Sequence, residues 1–267
     1  KEFEERTGWN VRVETGSAKE MLSQLEKEEA DWDVAFGVSA DALEEGKEYW
    51  QTGKDAWTGY SAVSFVILYN TNVVTYRELP TGWDSLLEPR WKGRVAVPDP
   101  LKSDMAASVL TEAAKNSEKE EFLDLLAENM QYQMPETFKE VEQGISDGRY
   151  SIGVTSEEAA KAMLAAGQDV DYIDPEEGEC FFEDGTAIRK RTPNLDASEA
   201  FVTYTTCDDT KWLLRTQLLR QPAEDVAAEN DRSDEDLKQR YSRQQEVLNI
   251  WKLIMEEKTG PAHEQEQ

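Results

Sequence analysis

The apolar stretch Ala62–Tyr69 reads as a strand buried on both faces, ended by the polar pair Asn70-Thr71. A turn through Pro80, Gly82 and Trp83 follows. A short helix then leads to a second strand, Arg94–Val97, closed by Pro98-Asp99-Pro100. Strand, helix and strand joined by short polar connections predict a parallel α/β layer. Upstream, the pattern predicts strand Val11–Glu14, helix Ala18–Glu29, strand Val34–Gly37 and helix Ala40–Glu45. Ser17-x-x-Glu20 is a capping box placed just before the first of these helices.

Downstream, helical spacing predicts Asp104–Lys115, Lys119–Asn129 and Phe138–Asp147, then strand Ser151–Val154, helix Glu157–Ala166 and strand Val170–Ile173. A returning strand is expected near Gly185–Lys190, followed by helices Leu195–Thr205 and Asp209–Leu219. The last helix runs from Asp234 to Lys258. Leu237, Tyr241, Leu248, Trp251 and Met255 recur there at three-, four- or seven-residue steps, which gives one apolar face. The tail after Gly260 is polar and is expected to fray.

These elements assemble into two α/β lobes joined by two crossings, near Ser61–Tyr69 and Ile173–Ala187. One lobe comprises 1–64 and 174–267, the other 65–173, and both crossings lie at one cleft. The chain opens inside a helix, so further residues are expected upstream of it.

Charge narrows the partners. Lys and Arg total 29 against 56 Asp and Glu, a formal charge of −27. A surface of that sign repels nucleic acid and anionic lipid. No apolar run approaches the ~18 residues that a membrane-spanning helix needs, so no insertion by this chain is expected. Cys180 and Cys207 have neither framework nor metal-site spacing; a single bridge and two unpaired thiols both fit. The only histidine, His263, sits in the polar tail, which excludes a His-based metal cage or a Ser-His-Asp triad. No resident metal or cofactor is expected, and catalysis is not.

Four segments end a strand or loop with hydroxyl residues at a helix start: Thr15-Gly16-Ser17, Gly37-Val38-Ser39, Pro98 to Ser103, and Gly153-Val154-Thr155-Ser156. Helix N-termini carry unpaired N–H groups and about half a positive charge, so each can receive an anion. Each is also what an ordinary helix cap looks like, and Thr155-x-x-Glu158 reads as a second capping box. Lys102 is the best-placed cation for a ligand anion. Trp32, Trp57, Trp83 and Trp91 read as packing residues, with ring stacking as the other option.

The segment YNT, then PTGWDSLLEPRWKGRVAVPDPLKS, resembles the ferric-iron-binding branch of the extracellular solute-binding proteins of ABC transporters. GRYSIGVTSEEAAKAMLAAG and GTAIRKRTPNLDASEAF are similar to further segments of that family in the same order. The resemblance implies an α/β, two-lobe fold of the periplasmic-binding-protein type II with a ligand cleft between the lobes. It puts Gly16, Ser17, Ser39, Tyr60, Ser61, Ser103 and Thr155 at cleft positions, with Ser156 beside Thr155. Glu177 of the pair Glu176-Glu177 reads as a solvated turn residue or as an acceptor for ligand hydroxyls at the returning crossing.

Where iron-binding members carry adjacent tyrosines, this chain reads Ser156-Glu157-Glu158. Ser103-Asp104-Met105 replaces a Ser-Gly-Ser/Thr loop, and Arg220-Gln221-Pro222-Ala223-Glu224 replaces an Arg-Pro-Val-Arg-like turn. The implied ligand is a small anion: a phosphorylated sugar, a phosphonate or a carboxylate. Ferric iron or a ferric chelate is the alternative, and the sensing lobe of a receptor is a third. The implied partner is an ABC permease, the implied state a monomer, and the implied location periplasmic or at the cell surface.

Overall fold

The computed structural model describes residues 1–51, 56–178, 180–217, 220–223 and 234–259. His263, the tail after Gly260, and the ends of the segments predicted to finish at Leu219 and Glu224 lie outside the described residues. The chain divides into two compact units: 1–62 with 182–242, and 63–181 with 243–267.

The first unit begins with α1 (Glu2–Thr7) and α2 (Ala18–Glu26). Between them the expected strand does not form. Val11–Glu14 is extended and unpaired, and Val13 is 77% exposed. The Val11 N–H donates to the Glu4 carboxylate instead of to a neighbouring strand. Alternation alone does not make a strand; the ladder partner supplies the hydrogen bonds.

Strand β1 (Val34–Ser39) runs antiparallel to the returning strand, from Val34 opposite Ile188 to Ser39 opposite Asp184. The register breaks between Phe36 and Val38, where Gly37 takes a left-handed φ of 73°. α3 (Ala40–Glu45) follows at once. Its residues Ala42 and Leu43, with Leu22 and Leu25 of α2, pack on Ala35, Trp50 and Ala187. Trp50 is fully buried, and its indole N–H donates to the Leu43 carbonyl at 2.8 Å. A buried tryptophan usually finds an acceptor for that N–H.

The long strand β2 (Thr58–Asn70) starts in this unit, where Ser61 and Ala62 pair with the last, two-residue strand, Gln221–Pro222. α8 (Leu195–Thr205) and α9 (Asp208–Gln217) complete the unit.

In the second unit, Phe65–Tyr69 of β2 pairs antiparallel with β4 (Ile152–Ser156), and Ile67–Asn70 pairs antiparallel with β5 (Val170–Ile173). The parallel pairing predicted for β2 and the Arg94–Val97 segment is not what forms. The strand there is β3 (Val95–Ala96), and its parallel partner is β4. The layer is therefore mixed.

α4 (Asp104–Asn116), α5 (Phe122–Asn129), α6 (Phe138–Ser146) and α7 (Glu157–Ala165) belong to this unit. Val66, Leu68, Ala96, Val141, Ile145, Ala160, Met163 and Val170 form one buried cluster. Gly153 is required there, since a Cβ would stand 2.5 Å from the Ala96 carbonyl and 2.9 Å from Val141. The returning strand, β6 (Cys180–Ile188), begins earlier than predicted; its first half alternates buried and half-buried positions before a continuous buried run from Asp184 to Ala187. β7 is Gln221–Pro222.

α10 (Asp234–Thr259) matches the predicted final helix. Its buried positions, Leu237, Gln244, Val247, Trp251 and Ile254, are centred about one residue before the predicted face, leaving Tyr241, Leu248 and Met255 as partly covered flanks. Gln244 is buried because its amide donates to the Asp104 carbonyl. Cys180 and Cys207 are both free thiols. Among the described residues no helix is long and apolar enough to cross a membrane.

Candidate functional site

In the first unit the predicted helix starts are real caps. Ser17 and Glu20 form a complete capping box on α2, beside the exposed Gly16. Ser39 accepts from the Ala42 N–H at 3.3 Å to cap α3, and is itself 3% exposed. Its strand partner is Asp184.

Asp184 is where the two crossing residues converge. Ser61, fully buried, donates its hydroxyl to Asp184 Oδ2 at 2.8 Å. The Arg220 guanidinium lies 2.5 Å from the same oxygen. Burial raises the carboxyl pKa of Asp184, while Arg220 and Ser61 pull it back. Tyr60 is 8% exposed, and its phenol pKa is raised, first by burial and then by the Asp184 charge. Its ring stacks on Phe36 with centroids 4.7 Å apart and planes 10° from parallel. A buried carboxylate with a hydroxyl donor and a guanidinium makes a paired polar cluster in the first unit, as Glu44 does with Lys47 and the Trp57 indole. Tyr60 and Ser61 belong to the Asp184 cluster; Ser17 is bonded to Glu20 within its own capping box.

In the second unit Ser103 caps α4, accepting from Ala106 N–H at 3.2 Å. Lys102 is exposed and engages Glu136. The predicted box from Thr155 to Glu158 does not form: the cap of α7 is Ser156, which accepts from Ala159 N–H at 3.1 Å. Thr155 still belongs to β4. Its side chain is fully buried and donates to Glu142 at 2.7 Å. Burial is the main cause that raises the pKa of Glu142, and the Thr155 bond only partly offsets it.

Glu177 is not a solvated turn residue. Its two carboxylate oxygens accept the N–H groups of Trp83 (2.9 Å) and Asp84 (3.1 Å), opening the one-turn helix Trp83–Leu87. Trp83 and Trp91 are buried, as packing residues are. Among the described residues, no group of three or more His, Cys, Asp or Glu is arranged to hold a metal ion.

Sequence reasoning did not select Asp184, Arg220 or Glu142. The signal for Asp184 was an acid inside the apolar strand pattern CFFEDGTAI, since an acid buried in a strand must be paired.

The sequence profile of the bacterial extracellular solute-binding protein family matches residues 20–245. The chain is 23% identical over 262 residues to iron uptake protein A1 of Synechocystis, covering 86% of this chain and 69% of that one. The ferric binding protein of Campylobacter jejuni superposes with a TM-score of 0.76 at 16% identity, over 95% of this chain and 93% of that one. The periplasmic binding protein AfuA of Actinobacillus pleuropneumoniae, solved with fructose-6-phosphate, gives 0.75 at 15% identity, over 94% and 91%.

The fold is thus that of the type II periplasmic binding proteins, whose work is binding and transport outside the cytoplasm. The chain belongs to the bacterial extracellular solute-binding proteins, the solute-capturing components of ABC import systems.

Proposed function

We propose that this protein captures a small polar anion, a phosphorylated sugar, a phosphonate or a carboxylate, by closure of its two units, and presents it to an ABC permease. The observation that carries this reading is the set of hydroxyl-capped helix starts, Ser17, Ser39, Ser103 and Ser156, the last of them standing where iron-binding members carry paired tyrosines. Gly16, Tyr60, Ser61, Thr155 and Glu177 are the other residues we assign to the ligand region. In this reading Ser61, Thr155 and Glu177 shape it through the internal bonds described above. The protein works as a monomer, as a periplasmic or cell-surface component, and turns nothing over. Hinge closure draws its free energy from contacts that only the closed form makes with the solute.

Ferric iron or a ferric chelate is the second reading, favoured by the similarity to an iron uptake protein. Two observations weigh against it. Burial raises the phenol pKa of Tyr60, which opposes the phenolate that binds ferric ion, and Ser156-Glu157-Glu158 offers no tyrosine. Thermal melting with a panel of organophosphates, carboxylates and ferric citrate separates the two. An anion should raise the melting temperature while ferric citrate does not. A rise with ferric citrate alone, with a visible charge-transfer band, reverses the order. A receptor's sensing lobe would bind the same solutes, so neighbouring coding sequences (permease or kinase) decide that alternative.

A further inference from the structure

Phe36 is a large aromatic residue that is 49% exposed in the middle of a strand whose neighbour Ala35 is buried. The exposure has a local cause. The irregularity between Phe36 and Val38, with Gly37 in the left-handed region, interrupts β1 at this ring. The ring is not an isolated surface hydrophobe of the ordinary kind. One face is covered by Tyr60, stacked at 4.7 Å, and Phe201 stands against it edge-on at 5.4 Å. Half-exposure of a ring stacked on one side leaves surface free for a second flat group.

Tyr60 joins this stack to the charged cluster: the charges of Asp184 and Arg220 both act on its phenol, and Ser61 beside it is bonded to Asp184. Arg220 adds the donors. Its Nη2 is buried and lies 2.5 Å from Asp184 Oδ2, which leaves the other nitrogens of a guanidinium that is 20% exposed to face a ligand. A guanidinium carries five N–H donors in a rigid fork that suits phosphate and carboxylate.

We propose that the first unit holds a subsite for a small anion carried on a flat ring, an aromatic or heteroaromatic phosphate, phosphonate or carboxylate. Its ring stacks on Phe36, and its anionic group is read by Arg220, which Asp184 and Ser61 hold in place. This deepens the solute-capture reading and rests on it. Flat rings gain by offset stacking beyond the area they bury, and a charged donor pair fixes the orientation. Asp184 is a positioning residue here, because it acts through Arg220.

The test is calorimetric titration of the full chain with phenyl phosphate, methyl phosphate and ferric citrate. Phenyl phosphate should bind about tenfold tighter than methyl phosphate, the scale of one aromatic pair. Phe36→Ala, at an exposed position, should erase that preference and leave methyl phosphate unchanged. Arg220→Lys should weaken both phosphates about tenfold by losing the fork. The double variant Asp184→Asn/Arg220→Gln removes both charges, so no lone buried charge remains, and it should fold yet bind neither phosphate.

Equal affinity for the two phosphates in the parent, a preference that survives Phe36→Ala, or undiminished binding by the folded double variant overturns the subsite. In those cases solute capture stands. Binding of ferric citrate alone overturns the subsite and the anion reading together. Binding of none of the three by the parent overturns the subsite, and the broader panel of the melting experiment then judges the reading itself.

Discussion

Glu142 shows burial outweighing a hydrogen bond in setting a residue's electrostatics. The carboxyl pKa of Glu142 is raised from 4.5, mainly by desolvation, and the Thr155 hydroxyl only partly restores the charged form. The sign follows from linkage. A carboxyl whose folded pKa lies above its unfolded value favours folding below the unfolded value. That contribution is lost as the pH rises through the folded pKa. Glu142→Gln keeps an acceptor for Thr155 and removes the charge. It should stabilise the protein at neutral pH, with the gain shrinking to nothing below about pH 4. Melting curves of both forms from pH 3.5 to 8 check this, and a gain independent of pH would refute it. Glu177 is the contrasting case: its two oxygens are spent on the amides of Trp83 and Asp84, a bond pattern no spacing rule could have announced.

At the scale of elements, helix starts carry the argument. Ser17, Ser39, Ser103 and Ser156 each accept an N–H of their own helix, so each contributes stability whatever else it does. Ser156→Ala should cost about 1 kcal/mol by denaturant unfolding, and Ser156→Asp almost nothing, because either side-chain oxygen serves a cap. If Ser156→Asp also weakens anion binding while Ser156→Ala spares it, an anion reaches this helix start. Equal affinity in both would leave Ser156 a plain cap.

The elements also explain the misplaced box at Thr155. Capping spacing is met at Thr155 and Glu158, but the strand pairing of Thr155 with Val66 holds its backbone in β4, and the helix begins one residue later. Sequence periodicity located α10 within a residue or two at each end. The centre of its buried stripe moved because Gln244, polar by type, has an acceptor waiting in Asp104.

For the whole molecule the dominant quantity is the charge of −27. Many ion pairs lie at the surface, such as Arg149 with Asp147 and Lys92 with Glu128, and pairs of that kind contribute little. Unpaired acidic charge repels itself and destabilises compact states at low ionic strength. Raising NaCl from about 0.01 M to about 1 M shortens the screening length from about 30 Å to about 3 Å. The melting temperature should climb by several degrees over that range, and a flat or falling curve would show that attractive pairs outweigh repulsion. The same screening should weaken capture of an anion only modestly, because Arg220 is 20% exposed and its partner 3%.

By itself, the sequence determined the α/β class, the order of most elements and the family. Hydrophobic period, caps and turn residues are local, and local interactions carry that information. Tertiary structure decided which strands pair. It left Val11–Glu14 without a ladder, joined β3 to β4 rather than β2, and brought Ser61, Asp184 and Arg220 together from three separate stretches of chain. Partnership across long sequence separation depends on packing that no window of neighbouring residues contains. For that reason the sequence offered Ser61 and an acid inside an apolar strand without joining either to Arg220, while the serines at the helix starts could be read directly.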